Sequence, residues 1–277
     1  MLKTRLDRLS ALIQRFRIEA KVCPFGATGT PDAQGRYTVP NLFIIGRGHL
    51  YIAGERFPDL DGEAPMLVFF PRGAPADFSI ETEAEDAEYV CASVDTGGDA
   101  NPIALALPEV VKLPLNEAEP LQAVADILLD EVLAPRCGGH AVIDRLCEIV
   151  VIRLLRHLIE EGKTKVGLVA GLAHPNLSLA IVAVHDNPER NWRLEDLAGI
   201  AGMSRTHFAN TFREVIGVTP GEYLSSWRLT LARVEIAMGT SLKAVVAKVG
   251  FSSSAALSRA FKRRYGVSPR QDYLRSA

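Results

Sequence analysis

The sequence predicts an α+β chain of more than one domain: a strand-rich front, a pair of long amphipathic helices, and an all-α end carrying two helix-turn-helix units. Three observations lead there. Between Phe25 and Val94 short apolar runs alternate with Gly and Pro, two helix-length apolar patterns follow, and one segment near the end occurs twice. Phe212-Arg213-Glu214-Val215-Ile216-Gly217-Val218-Thr219-Pro220 returns 49 positions later as Phe261-Lys262-Arg263-Arg264-Tyr265-Gly266-Val267-Ser268-Pro269. Each copy follows a turn, Gly202-Met203-Ser204 or Gly250-Phe251-Ser252, and ends in Gly and Pro, as a helix-turn-helix needs to present a helix to a DNA major groove.

The chain opens with Leu2, Leu6, Leu9, Ile13 and Phe16 spaced among Lys3, Arg5, Arg8, Arg15 and Arg17. This is an amphipathic helix pattern and lacks the continuous apolar core of a secretion signal. The next elements are strands, at Asn41–Ile45, His49–Ile52, Met66–Phe70 and Tyr89–Val94, with turn punctuation at Gly26, Gly29, Pro31 and Gly35. They predict an all-β sandwich or small barrel. Glu81, Glu83, Glu85, Asp86 and Glu88 form an acidic run that reads as a solvated loop or strand edge.

Two helices are predicted from Glu117 to Leu133 and from His140 to Glu161, broken by Pro135-Arg136-Cys137-Gly138-Gly139. Leu121, Val124, Ile127, Leu128 and Leu129 mark the apolar face of the first, and Ile143, Leu146, Ile149, Val150 and Leu154 that of the second. Such a hairpin either joins two copies of the chain or caps its own β-domain. Thr164–Pro175, with Gly167 and Gly171 and few charges, is predicted to be a linker.

From Leu177 the chain is predicted helical to its end. Ile181, Val182 and Val184 lie on a helix that stops at His185-Asp186-Asn187-Pro188, and Leu194, Leu197, Ala198 and Ile200 supply a positioning helix. Glu222–Met238, with Tyr223, Leu224, Trp227, Leu231 and Val234 on one stripe, joins the two units into one body. The domain division is 1–112, 113–173 and 174–277, with the helix-turn-helix units at about 194–216 and 242–265.

Charge separates along the same lines. From His174 to Ala277 there are 14 Lys and Arg against 8 Asp and Glu, net +6, while the remainder has 17 against 25, net −8. A basic segment that coincides with the repeated helices is the footprint of phosphate contact, although unrelated domains also differ this much by chance. Apolar stretches such as Gly167–Ala173 fall far short of the roughly 18 residues a membrane helix requires. A cytoplasmic protein with no membrane partner is expected.

Ser204 is the predicted N-cap of a recognition helix reaching about Val215, and Ser252 or Ser253 that of a second reaching about Tyr265. Phe208 and Phe212, like Leu257 and Phe261, are four apart and face the core. The outward faces then hold Arg205, Thr206, Ala209, Asn210 and Arg213, and Ser254, Ala255, Ser258, Arg259 and Lys262. Arg can bridge guanine O6 and N7, Asn can pair bidentately with adenine, Ser and Thr take either role, and an Ala or Thr methyl suits thymine. Arg213, Lys262, Arg263 and Arg264, near the helix ends, are the phosphate candidates together with the cap residues Ser204 and Ser253. Any one of these also reads as a solvated surface residue.

At these residues the last hundred positions resemble the DNA-binding domain of the AraC/XylS family of bacterial transcription regulators. The likeness rests on Trp192-Arg193-Leu194-Glu195-Asp196-Leu197-Ala198, Gly202-Met203-Ser204, Phe208, Phe212, Gly217-Val218-Thr219-Pro220, Tyr223-Leu224 and Trp227-Arg228. The second half adds Val249-Gly250-Phe251, Ser258-Arg259-Ala260-Phe261-Lys262-Arg263 and Tyr265-Gly266-Val267-Ser268-Pro269. The resemblance implies two recognition helices entering successive major-groove segments about 34 Å apart on double-stranded promoter DNA. It carries base contact to Thr206, Ala209 and Asn210, and to Ser254, Ala255 and Arg259, and it implies RNA polymerase as a partner. Val246-Ala247 departs from the usual Ile-Ala order.

The front half is similar to the cupin-like barrel that many members of this family carry as a sensing module. Of the usual metal ligands, His49 and Glu55 stand at fitting positions before Pro71-Arg72-Gly73, but Tyr51 and Ala76 replace the other two. With two ligands of four, neither a catalytic metal nor another cofactor is implied. The resemblance extends to a subgroup with Cys at the places of Cys23 and Cys91. Such a pair either senses oxidants by forming a disulfide, or binds a soft metal, or consists of small buried hydrophobes. Cys137, in a Pro/Gly turn, is expected to be exposed and Cys147 to pack.

The leading function is a sequence-specific DNA-binding regulator, not an enzyme, whose barrel receives an oxidant or a small molecule. Against a cupin metalloenzyme, Tyr51 and Ala76 stand where two His ligands belong, and a helical protein-interaction adaptor leaves the two basic surfaces without a role.

Overall fold

The computed structural model describes residues 7–15, 18–22, 30–31, 37–38, 41–47, 49–52, 55–56, 65–73, 78–81, 88–95, 104, 107–134, 136–162 and 166–276. The chain divides into two compact units. Arg17–Asp99 with Ile103–Leu158 form one, and Met1–Phe16 with Ala100–Pro102 and Ile159–Ala277 form the other.

The first unit holds the strands β1 (Glu19–Val22), β2 (Thr30–Pro31), β3 (Tyr37–Thr38), β4 (Leu42–Arg47), β5 (His49–Ile52), β6 (Glu55–Arg56), β7 (Met66–Phe69), β8 (Phe78–Glu81), β9 (Glu88–Asp95) and β10 (Val111–Pro114). β1-β9-β4-β7-β10 make an antiparallel five-stranded sheet, β6-β5-β8 a three-stranded one, and β2-β3 a two-stranded ribbon. β4 and β7 are inner strands, and Leu42–Ile45 and Met66–Phe69 are buried on both faces. That is why they read as unbroken apolar runs rather than as alternation. On one face Phe43, Ile45, Met66, Val68, Phe70 and Cys91 form a cluster with Tyr89 and Val110 against it. Phe43 and Phe70 meet edge to face at 6.2 Å. A register shift between Ile45 and Arg47 breaks the ladder with β9. The sheet also uses β1 and β10, which lie outside the strand-rich range expected from sequence, because a four-residue edge strand has too few alternations to be recognised.

The helices α2 (Glu119–Leu133) and α3 (Gly139–Glu161) match the predicted hairpin, and α2 packs on β9. The predicted apolar stripes are partly wrong. Ile127 is 56% exposed and Ile149 41%, while Ala125, Cys147 and Val151 are buried beside Leu121, Leu128, Val150 and Leu154. These helices carry more apolar residues than one face can bury, so only contact with the sheet decides which turn inward. At the hairpin end Arg136 donates to Asp130 at 2.8 Å and Glu131 at 2.9 Å. Asp144 on α3 accepts the Val22 N–H at 2.9 Å and so ties the end of β1 to the long helix.

The second unit contains α1 (Ser10–Arg15), α4 (Leu168–Ala173), α5 (Leu177–Asp186), α6 (Leu194–Ile200), α7 (Arg205–Ile216), α8 (Pro220–Ala237), α9 (Leu242–Val249), α10 (Ser254–Tyr265) and α11 (Pro269–Ser276). Residues 1–6 of the predicted N-terminal helix lie outside the described residues; α1 packs on α5 with Leu12 buried, and Arg8 donates to the Leu172 carbonyl at 2.9 Å. The predicted linker is instead the helix α4, with Leu168–Leu172 buried against α5 and α7. A Cβ at Gly171 would lie 2.2 Å from Ile216 Cδ1 and 2.6 Å from Ile181 Cδ1, so the glycine serves close approach. At the centre His185, 1% exposed, stacks on Trp227 at 3.9 Å and shares a 2.6 Å hydrogen bond with the Tyr223 hydroxyl. Burial pushes the Tyr223 pKa well above its ordinary value, so the hydroxyl stays neutral there. No helix among the described residues is long and apolar enough to cross a membrane.

Candidate nucleic-acid interface

The sequence repeat folds into two modules built by the same local devices. Ser204 Oγ accepts the His207 N–H at 3.4 Å and starts α7; Ser253 Oγ accepts the Ala256 N–H at 3.1 Å and starts α10. The cap of α10 is therefore Ser253 rather than Ser252. Gly217 and Gly266 end the two helices with φ of +89° and +76°. Thr219 with Glu222 then opens α8 by reciprocal hydrogen bonds, and Ser268 with Gln271 opens α11 the same way. Each pair is 49 positions apart, so the repeat is one of capping chemistry as well as of core residues.

Core packing fixes which face each helix turns outward. Phe208 and Leu257 are wholly buried, as are Phe212 and Phe261 within 2%. Phe212 packs on Phe208 and Tyr223 at 5.5 Å each, and Phe261 on Tyr265 at 4.6 Å. On the opposite side of α7, Arg205, Thr206, Asn210 and Arg213 are exposed and Ala209 is half-buried. On α10, Ala255, Arg259, Lys262, Arg263 and Arg264 are exposed, and Ser254 and Ser258 are half-buried. The cap residues Ser204 and Ser253 are exposed. Lys262, Arg263 and Arg264 occupy the last turn of α10, where their charge also complements the helix dipole.

Three features escaped the sequence reading. Arg205 is held by Glu195 of α6 at 2.8 Å, with both side chains more than half exposed. His207, exposed on the first turn of α7, faces His174, whose Nδ1 accepts the Asn176 and Leu177 N–H groups at 3.2 Å each. Burial, and then the charge of His207, lower the His174 pKa. Arg228 on α8 donates through Nε to the Pro188 carbonyl at 2.7 Å and through Nη2 to the Arg190 carbonyl at 2.8 Å. The sequence offered no signal for the first and third, whose partners are 10 and about 40 positions away; a His three residues before a helix start is a local cue that could have exposed the second.

In the β unit, Cys91 is buried at 8% exposure within the sheet cluster, and burial followed by the Cys91 charge raises the pKa of Tyr89 beside it. Cys23 lies outside the described residues, as do the side chains of His49 and Glu55. The β1–β9 register ends at Val22 opposite Ala92. Cys137 is exposed and Cys147 buried.

Residues 197–275 match a helix-turn-helix domain family and residues 7–160 a cupin family. The chain is similar to the HTH-type transcriptional regulator MtrA of Neisseria gonorrhoeae, 30% identical over 285 residues that span 88% of this chain and 93% of that protein. It is 29% identical to the RCS-specific HTH-type transcriptional activator RclR of Escherichia coli K12, over 95% of this chain and 96% of that one. An uncharacterized HTH-type transcriptional regulator of Haemophilus influenzae is 30% identical over 167 residues, and that match spans only 56% of its length.

Proposed function

The chain belongs to the AraC family of transcription regulators with a cupin-type N-terminal domain, and from that membership we propose that it binds promoter DNA through α7 and α10 under the control of a signal received by its β unit. Arg205, Thr206, Ala209 and Asn210, with Ser254, Ala255 and Arg259, read base edges. Ser204, Arg213, Ser253, Lys262, Arg263 and Arg264 hold phosphates. One observation carries this reading: two helices with identical caps bury their phenylalanine or leucine side and leave the polar, cationic side to solvent.

The chain acts in the cytoplasm as a regulator rather than an enzyme, with RNA polymerase as a partner and a homodimer joined through its helical hairpin as the assembly. Its functional division is a sensor at 1–112, a hairpin at 113–173 and a DNA-binding domain at 174–277. The signal is an oxidant acting on Cys23 and Cys91. Support comes from Cys91, which is held on β9 in the buried cluster of the sheet, and from the pairing of β9 with β1, whose last residue Val22 directly precedes Cys23 in the sequence. Two thiols would lose two protons and two electrons to hypochlorite or peroxide. A small molecule bound in the barrel is the other source of signal, and thiols that stay free while an effector alters DNA binding would favour it.

The DNA reading is tested by two substitutions on one helix. Arg259→Ala should weaken binding by about 1–3 kcal/mol and relax preference at one base pair. Lys262→Ala should weaken all sequences alike and reduce the salt slope by about one. Equal loss on every sequence for both would overturn the assignment.

A further inference from the structure

The loop between α5 and α6, residues 187–193, belongs to the first module but is gripped from outside it. Arg228, midway along the connecting helix α8, forks onto the Pro188 and Arg190 carbonyls at 2.7 and 2.8 Å. From the second module Gly250, at the end of α9 with φ of +76°, meets the same loop. A Cβ there would lie 2.6 Å from both Cα and O of Glu189, so backbone rests on backbone. The loop is itself stiff: Trp192 Nε1 donates to the Asn187 carbonyl at 2.8 Å, and the Arg190 guanidinium lies 4.2 Å over the Trp192 ring.

We propose that Arg228 and Gly250 form a junction that fixes the spacing of the two recognition helices, so that the protein selects DNA by the number of base pairs between its two contacted segments as well as by their bases. This rests on the DNA-binding reading above. A single connecting helix can bend and twist, whereas a second contact away from its axis removes that freedom. Gly250 immediately precedes the turn that aims α10, and the loop immediately precedes α6, which positions α7. The contact therefore couples the two reading elements directly. One inserted base pair displaces the second DNA segment by about 3.4 Å and rotates it by roughly 34°, more than a braced pair of helices can follow. Arg228 suits the role because its planar fork reaches two carbonyls at once, which a lysine ammonium on one flexible stem does not reproduce.

The full chain is used to select duplexes from a randomised library, and the best duplex is rebuilt with one base pair added or removed between the two protected segments. Wild type should lose about tenfold or more in affinity on either change, Arg228→Ala less than about threefold, and Arg228→Lys an intermediate amount, with base preference inside each segment unchanged. Gly250→Ala, which drives a Cβ into Glu189, should also lose the spacing preference and serves if Arg228→Ala fails to fold. Folded Arg228→Ala or Gly250→Ala protein that keeps the wild-type spacing ratio overturns the proposal, as does wild type that tolerates every spacing. A wild type that selects no duplex overturns the DNA reading itself, and this proposal with it.

Discussion

Glu195 Oε1 accepts a hydrogen bond from Arg205 Nη1 at 2.8 Å, so the first cation of α7 is paired across the helix-turn-helix before any DNA arrives. The side chains are 64% and 57% exposed, which places the pair among surface bridges worth about 0–1 kcal/mol. The base contact proposed for Arg205 would compete with that pair.

Glu195→Gln removes the competing charge. Affinity for the selected duplex should rise by no more than about fivefold, because the pair it dissolves is weak. Fluorescence anisotropy at low and moderate salt measures it; an unchanged affinity would show that Arg205 makes no DNA contact that the pair restrains.

Gly171→Ala tests the close approach of α4 to α7. An added methyl gains about 0.5–1 kcal/mol of helix propensity but overpacks a closed core, typically at about 1–3 kcal/mol, so the net effect is destabilising. Ile216→Val deletes the Cδ1 atom that the methyl would strike. Thermal melts should show Gly171→Ala lowering Tm in the native background and lowering it less in Ile216→Val, where the 2.6 Å approach to Ile181 Cδ1 remains.

His174 gives the second unit a pH dependence of definite sign. Its pKa is lowered by burial and by His207, so the folded form resists a proton that the unfolded chain takes up below about pH 6.5. Stability is constant above that pH and falls as pH drops from there toward the folded pKa. His174→Asn keeps an acceptor for the Asn176 and Leu177 N–H groups without a titrating ring. Denaturant titrations between about pH 5 and 7 should show a smaller stability loss in the variant; equal losses would remove His174 as the cause.

Oxidant sensing predicts a Cys23–Cys91 bridge, detectable by mass spectrometry after mild hypochlorite or peroxide treatment, and no change in DNA binding by treated Cys91→Ser protein. Asp144→Ala should still form the bridge yet respond less, because Asp144 links the Val22 N–H at the end of β1 to α3. A DNA response retained in full by Cys91→Ser would eliminate the pair as the sensor.

The capping residues and core phenylalanines of both helix-turn-helix modules were legible in the sequence because they are local. A Ser before a helix, a Gly after it and apolar residues four apart act within one or two turns, whatever the rest of the chain does. The inner strands β4, β5, β7 and β9 were legible for the same reason. The edge strands β1 and β10 and the burial of α4 were not, since Glu19–Val22, Val111–Pro114 and Leu168–Ala173 take their form from distant partners.

What the sequence by itself determined is the kind of elements, their order and the outward polar faces of α7 and α10. Only the tertiary structure decided that Ile127 and Ile149 face outward, that Gly171 admits Ile216, that Glu195 holds Arg205, and that Arg228 clasps a loop about 40 positions away. Such contacts depend on shape and loop closure between segments remote in the chain, and no pattern of neighbouring residues encodes them.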